Sequence, residues 1–437
     1  MFLNPIQEIK MNKLEAMVST YGLPKLAKLS QQFDRTRLIN PEKKLLELLE
    51  EKVPLLPKGS RIAITAGSRG IAQYCSLMKI VVFFLKGKGY KPFLVPAMGS
   101  HGGGTAEGQL AILANLGITE ESVGAPILSS MEVIQVATTL QGIPVWIDKN
   151  AVEADGIVLL NRVKPHTSIR EKYQSGLIKM MAIGLAKHIG ATATHSLGTL
   201  QLGPTMVSVG TTALHVLNIV AGISVIENGY EELADIYVSR KNEILETEPL
   251  ILERATSLVP TIKIQKIDCL IVCEQGKDIS GTGMDPAIIG RPINRRVNEG
   301  PSVESLGVLR LTSCSDGNAS GCGLADFITK DFRDQIDEIV TDVNSLTGMH
   351  PEIARIPITL SSDKLVFQAC VKASGIRNLE DLKMVVIKNT KSLDEIYVSP
   401  ASFASVKDRQ DIQLLSDFQN IPFDDNDRFA IYDKCNF

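Results

Sequence analysis

The chain has 437 residues, 44% apolar and 22% charged, with a formal net charge of −3. That length exceeds the roughly 250–300 residues at which a single core stops growing, so two domains are expected. A slightly acidic balance argues against a nucleic-acid partner, because neutralising phosphates takes a basic face.

Residues 41–55 (PEKKLLELLEEKVPL) have helical apolar spacing behind a proline. Arg61–Thr65 reads as a short apolar strand, followed by the turn 66–70 (AGSRG) and a buried helix over 71–86. A second strand, 92–96 (PFLVP), leads into the glycine-rich turn AMGSHGGGT, and Thr105 is placed to cap a helix running to Leu116. Segments 133–138 and 143–148 suggest a hairpin appended to that sheet, and 156–161 (GIVLLN) reads as a buried strand with His166 just past its end. A helix over 246–258 stops before Pro260, and a new strand opens over 267–273, which places a domain boundary near residue 262. Beyond it come a strand at 308–313, a helix at 324–336, an apolar–polar stretch at 356–373, and strands at 383–388 and 395–399. Alternating strands, small-residue turns and helices predict two α/β domains, 1–262 and 263–437, with an active site in the cleft between them.

The longest apolar run, Ala213 to Ile226, contains His215 and Asn218 and is shorter than the ~20 residues of a membrane span. The N-terminus MFLNPIQEIKMNK has no basic-then-apolar signal pattern, so a cytoplasmic protein with no membrane partner is expected. Seven cysteines (75, 269, 273, 314, 322, 370 and 435) form no CxxC pair, so neither a zinc site nor an iron–sulfur cluster is indicated.

Chemistry concentrates between Val163 and His195, which holds three of the six histidines (His166, His188, His195) with Lys179 among them. A lysine flanked by Ile178, Met180 and Met181 is costly to bury unless neutralised, paired or covalently used; a lone one more often snorkels to the surface. His188 and His195 stand seven residues apart, on one face if a helix continues between them. His101 sits in the run Gly99–Gly104, where consecutive backbone N–H groups suit a phosphate or carboxylate and an unshielded imidazole suits acid–base work. Two further loops, 278–291 with Lys277 before it and 313–323, follow strands of the second half.

These motifs together resemble the nickel-dependent lactate racemase superfamily, from TAGSRGIA at 65–72 through AMGSHGGGT and VKPH to CEQGKDISGTGMDP. The resemblance implies racemisation or epimerisation of a small-molecule 2-hydroxy acid with a nickel-pincer nucleotide, supplied by cofactor-biosynthesis enzymes as transient partners. On it, Lys179 is the covalent anchor of the cofactor and His195, sixteen residues on, the nickel ligand. His101 and His166 are the acid–base pair, and Ser68, Arg69, Gly99 and Ser100 contact the cofactor. Arg69, Lys277 and Glu274 approach the substrate. His188 lacks the sixteen-residue spacing and is structural. The chain departs from the lactate enzymes at Ala66, where they carry an acidic residue, at Ile183, where they carry proline, and in a longer spacing from His166 to Lys179. Two other readings remain: an enzyme holding an ordinary nucleotide in its glycine-rich loops, though neither GxxxxGK[ST] nor GxSxG is present, and a non-catalytic carrier or sensor of the nickel cofactor.

Overall fold

A computed structural model describes residues 13–167, 169–293 and 300–430. The chain divides into two compact α/β units, one formed by residues 34–259 and the other by 1–33 with 260–437. The expected boundary near 262 lies within a few residues of this division. The N-terminal domain, however, does not begin at residue 1. Strand β1 (Ala27–Gln31) lies in the sheet of the other unit, antiparallel to a strand near the C-terminus.

The 34–259 unit is a five-stranded sheet. Helix α1 (Pro41–Lys52) leads into β2 (Arg61–Ala66), then α2 (Tyr74–Gly87), β3 (Lys91–Pro96) and α3 (Ala106–Asn115). Thr105 caps α3 as expected, its side chain accepting from the Gly108 amide at 3.1 Å. A hairpin of β4 (Val133–Thr138) and β5 (Pro144–Asp148) follows, then β6 (Gly156–Arg162). The hairpin is a separate two-stranded sheet and does not extend the main one. It lies across one face instead, where Val145 and Ile147 pack with Ala63, Phe93, Val95 and Leu159.

After β6 come a helical turn at Leu177–Lys179, a π-helical turn at Met180–Gly184, α4 (Lys187–His195) and α5 (Thr199–Val216). Strands β7 (Ile219–Glu227) and β8 (Leu233–Ser239) and helix α6 (Ile244–Ser257) complete the unit. The long apolar run from Ala213 is therefore the end of α5 and the start of β7. In β2, Ile62 and Ile64 face one core while Ala63 faces the other, so both faces of the sheet are buried.

The strand order is β3-β2-β6-β7-β8, with β3, β2, β6 and β7 parallel and β8 antiparallel. The chain leaves β2 toward β3 and then returns to the other side of β2 with β6. That reversal puts a crevice at the carboxyl ends of β2 and β6, the usual ligand position in open α/β sheets.

In the second unit, β9 (Lys266–Gln275), β10 (Ser302–Leu311), β11 (Phe327–Thr329), β12 (Ile358–Leu360) and β13 (Met384–Ile387) run parallel. Antiparallel β14 (Glu395–Val398), β1 and β15 (Ile412–Leu414) finish the eight-stranded sheet. The helix expected over 324–336 is replaced by β11 and a short helix at Lys330–Asp334. Phe327 and Ile328 suit a buried strand, and Thr329 starts the helix by accepting from the Phe332 amide at 3.1 Å. Six of the cysteines are free thiols; Cys435 lies outside the described residues. No described helix is long and apolar enough to cross a membrane.

The turn carrying Lys179 is wedged against α5, where a Cβ on Gly210 would fall 2.6 Å from the Ile178 carbonyl oxygen. Alanine there raises helix propensity by about 1 kcal/mol, but the overlap is with backbone and costs about 1–3 kcal/mol. Overpacking wins. Gly210→Ala lowers the thermal unfolding midpoint by several degrees, as followed by circular dichroism.

Candidate functional site

Three segments of the 34–259 unit meet at the carboxyl ends of its strands: 66–69 after β2, 97–104 after β3 and 163–176 after β6. The turn after β3 is docked on the π-helical turn. Gly99 donates its amide to the Gly184 carbonyl at 3.1 Å, and a Cβ on Gly184 would sit 2.7 Å from the Ala97 carbonyl oxygen. Only glycine at 184 permits that approach. The π-turn itself is closed by the Leu185 amide donating to Met180 O at 2.8 Å, a local irregularity often found at functional sites.

His101 is exposed, and its Nδ1 lies 2.5 Å from Ser68 Oγ. The turns after β2 and β3 are thus joined by a side-chain contact, with Arg69 exposed beside it. Ser100 is half-buried and Gly99 buried. Gly99 has φ +60°, in the left-handed region that favours glycine.

His166 is half-buried at the root of the 164–175 excursion, which Lys164 and Ser175 close by a backbone bridge. Its amide donates to Gln174 Oε1 at 2.9 Å, and its Nδ1 accepts from the Ile169 amide at 3.2 Å. Burial first, then the charges of Lys179, Lys164 and Arg170, hold this imidazole well below its usual range. The ring is therefore neutral near pH 7. With Nδ1 accepting, its proton is on Nε2.

Lys179 is half-buried and has no hydrogen bond or carboxylate partner among the described residues. Burial pulls its amine down to about 7, assisted by Lys164 and Arg69. It does not snorkel into free solvent. His195, at the end of α4, is half-buried, and its Nδ1 donates to Ala191 O at 2.6 Å. That bond fixes the tautomer and leaves the Nε2 lone pair available to a metal. The charge of Lys179 is felt at both His166 and His195, so the three form one electrostatic group. His188 is exposed and lies beside Gly104, outside that group.

Glu274 and Lys277 belong to the other unit, at the end of β9. Glu274 accepts from Asn389 at 3.3 Å, and Lys277 Nζ donates to Asn344 Oδ1 at 2.6 Å and Gly281 O at 2.9 Å. In this arrangement Lys277 braces loops of its own unit. No three His, Cys, Asp or Glu side chains among the described residues converge as a metal site.

Glu248 of α6 is a site residue the sequence did not announce. It is 2% exposed, and its Oε2 accepts from the amides of Leu177 at 2.7 Å and Ile178 at 3.3 Å, capping the turn that carries Lys179. Oε1 is buried without a partner, and a Cβ on Gly176 would lie 2.7 Å from it. Burial pushes this carboxyl up to about 7 against the pull of the two amides. Its only sequence signal is a glutamate on the inner face of an amphipathic helix.

Residues 58–204 match the model of the lactate racemase N-terminal domain. The fold is similar to the structure of the lactate racemase apoprotein from Thermoanaerobacterium thermosaccharolyticum, with a TM-score of 0.50 and 15% sequence identity over 84% of this chain and 99% of that one. No curated protein sequence matches.

Two titrations test this geometry. Competitive acetylation, read by peptide mass, gives Lys179 a midpoint near pH 7, about three units below an ordinary exposed lysine. A carboxyl whose folded pKa is raised from about 4.5 to about 7 adds stability below the lower value and loses it as pH rises through the upper one. Between pH 5 and 8.5, the unfolding free energy of Glu248→Gln therefore gains on the parent, by up to about 3 kcal/mol. Paired thermal melts at the two pH values measure it.

Proposed function

We propose that this chain, whose residues 58–204 match the model of the lactate racemase N-terminal domain, is a racemase of that superfamily and racemises or epimerises a 2-hydroxy acid at the Lys179 site. The observation carrying this reading is the electrostatic group of Lys179, His166 and His195 beside the turn that bears His101.

Those residues fit a nickel-pincer nucleotide. An amine near pH 7 with no anion to hold it is a ready nucleophile, which suits Lys179 to a covalent attachment. His195 has one nitrogen committed to a backbone carbonyl and the other free for nickel, the arrangement usual for a metal-ligating histidine. Arg69 and the backbone at Ser100 would hold anionic parts of the cofactor, with Ser68 beside them and the Gly99 amide already bonded to Gly184 O. When bound, the group supplies a reversible acceptor for the Cα hydrogen with its electron pair, chemistry no side chain offers.

The protein's own part is binding, orientation and proton transfer. Arg69 pairs with the substrate carboxylate. The two imidazoles enter on unequal terms. His101, exposed and in contact with the Ser68 hydroxyl, is the one set to take the proton from the substrate hydroxyl. His166 offers Nε2–H, which orients and polarises the substrate oxygen, and it accepts a proton only once its Ile169 contact is released.

Co-expression with the cofactor's biosynthetic enzymes tests the reading. Purified protein then contains nickel and carries a mass increment on the Lys179 peptide, and Lys179→Ala abolishes the increment. On a panel of 2-hydroxy acids, His101→Ala lowers turnover of the best substrate roughly 10²–10⁴-fold. Unchanged racemisation by that variant would refute the acid–base assignment, and failure to take up nickel would refute the cofactor.

A further inference from the structure

Behind the His101 turn lies a polar network with no exposure to water. Gln109, Asp148 and Lys187 are each 0% exposed, on α3, β5 and the first position of α4. The Lys187 ammonium donates to Pro96 O, the last residue of β3, and to Gln109 Oε1 at 3.1 Å, and lies 3.1 Å from Asp148 Oδ2. The ammonium thus has two hydrogen-bond acceptors, and Asp148 Oδ2 balances its charge as an ion-pair partner that itself accepts no hydrogen bond. Asp148 also grips the chain through its backbone, its amide donating to Leu185 O at 2.7 Å, and its Oδ1 accepts from Ala151 at 3.0 Å. Gln109 passes the connection on: its Nε2 donates to Gly99 O at 2.9 Å and to His101 O at 3.4 Å.

Lys187 achieves this with φ +55°, a left-handed conformation unusual for a residue with a side chain. Such strain persists only where surrounding structure imposes it. A buried ion pair contributes little net stability compared with apolar packing, because desolvation offsets the attraction. What it does provide is a fixed position. The network ties the His101 turn to the chain segment that leads from Lys179 to His195.

We propose that Gln109, held by the buried Asp148–Lys187 pair, is a positioning residue that sets the place of His101 relative to Lys179 and His195. The proposal rests on the racemase reading for its effect on turnover, but its structural half stands without cofactor or substrate. Gln109 has the right chemistry because an amide both accepts from Lys187 and donates to the two carbonyls. Neither methionine nor glutamate does both.

The test is Gln109→Met, close in shape, which keeps the Asp148–Lys187 pair and cuts its link to the turn. In cofactor-free protein labelled at histidine, the NMR titration of His101 moves away from the parent curve, while that of His215, near the C-terminal end of α5, stays in place. Thermal unfolding changes by a few degrees at most. In loaded enzyme, kcat falls roughly 10–100-fold with KM little changed, the pattern of a misplaced catalytic group. Gln109→Glu, which keeps the acceptor and loses the donor, gives the same His101 shift and serves if the methionine variant does not fold. An unchanged His101 titration in a folded variant overturns the positioning role. Absence of racemisation in both parent and variant, with His101 shifted, overturns the racemase reading and leaves the positioning role standing.

Discussion

An ammonium withdrawn from water with no carboxylate beside it cannot remain a stable cation, and the candidate site follows from that constraint at Lys179. Burial draws its amine toward the free base with help from Lys164 and Arg69, and burial likewise lowers His166 and His195, with the charge of Lys179 adding to the effect at both. Shared burial, more than any one charge, therefore holds the three groups toward their neutral forms. The cost is borne by the scaffold, through the Glu248 cap, the packing of Gly210 and the docking of Gly184 on Ala97.

Lys187, eight residues on, is a useful contrast. It is more deeply buried than Lys179, yet burial is opposed there by Asp148 and by two oxygen acceptors. Partner supply distinguishes the two: the paired lysine is held in place as a fastener, and the unpaired one is drawn toward the neutral amine. Depth of burial alone does not separate reactive from structural lysines.

Much of the sheet of the 34–259 unit was legible because its strands are buried on both faces and read as unbroken apolar runs, as at 61–65, 92–96 and 156–161. The Thr105 cap was legible for the same kind of local reason. Features governed by long-range pairing were not. β1 joins strands nearly four hundred residues away, and β11 becomes a strand because β10 and β12 flank it. At the site, His101, His166, Lys179 and His195 stood out by residue type and by resemblance. Gln109, Asp148, Lys187 and Glu248 did not, since a polar residue in an amphipathic helix or at a strand end looks solvent-facing until the fold shows otherwise.

The π-turn changes how the sixteen-residue interval between Lys179 and His195 should be understood. On an uninterrupted α-helix, sixteen steps of about 100° leave two side chains roughly 160° apart, on opposite sides of the rod. The wider turn at Met180–Gly184 and the left-handed Lys187 break that rod into two short helices with a bend between them. The interval is thus a measure of chain length around a corner and carries no helical phase. Away from Gly184 and Lys187, whose places are fixed by packing and by the buried pair, such a corner is more sensitive to the gain or loss of a single residue than to a change of side chain, because length is what brings amine and imidazole into one another's field.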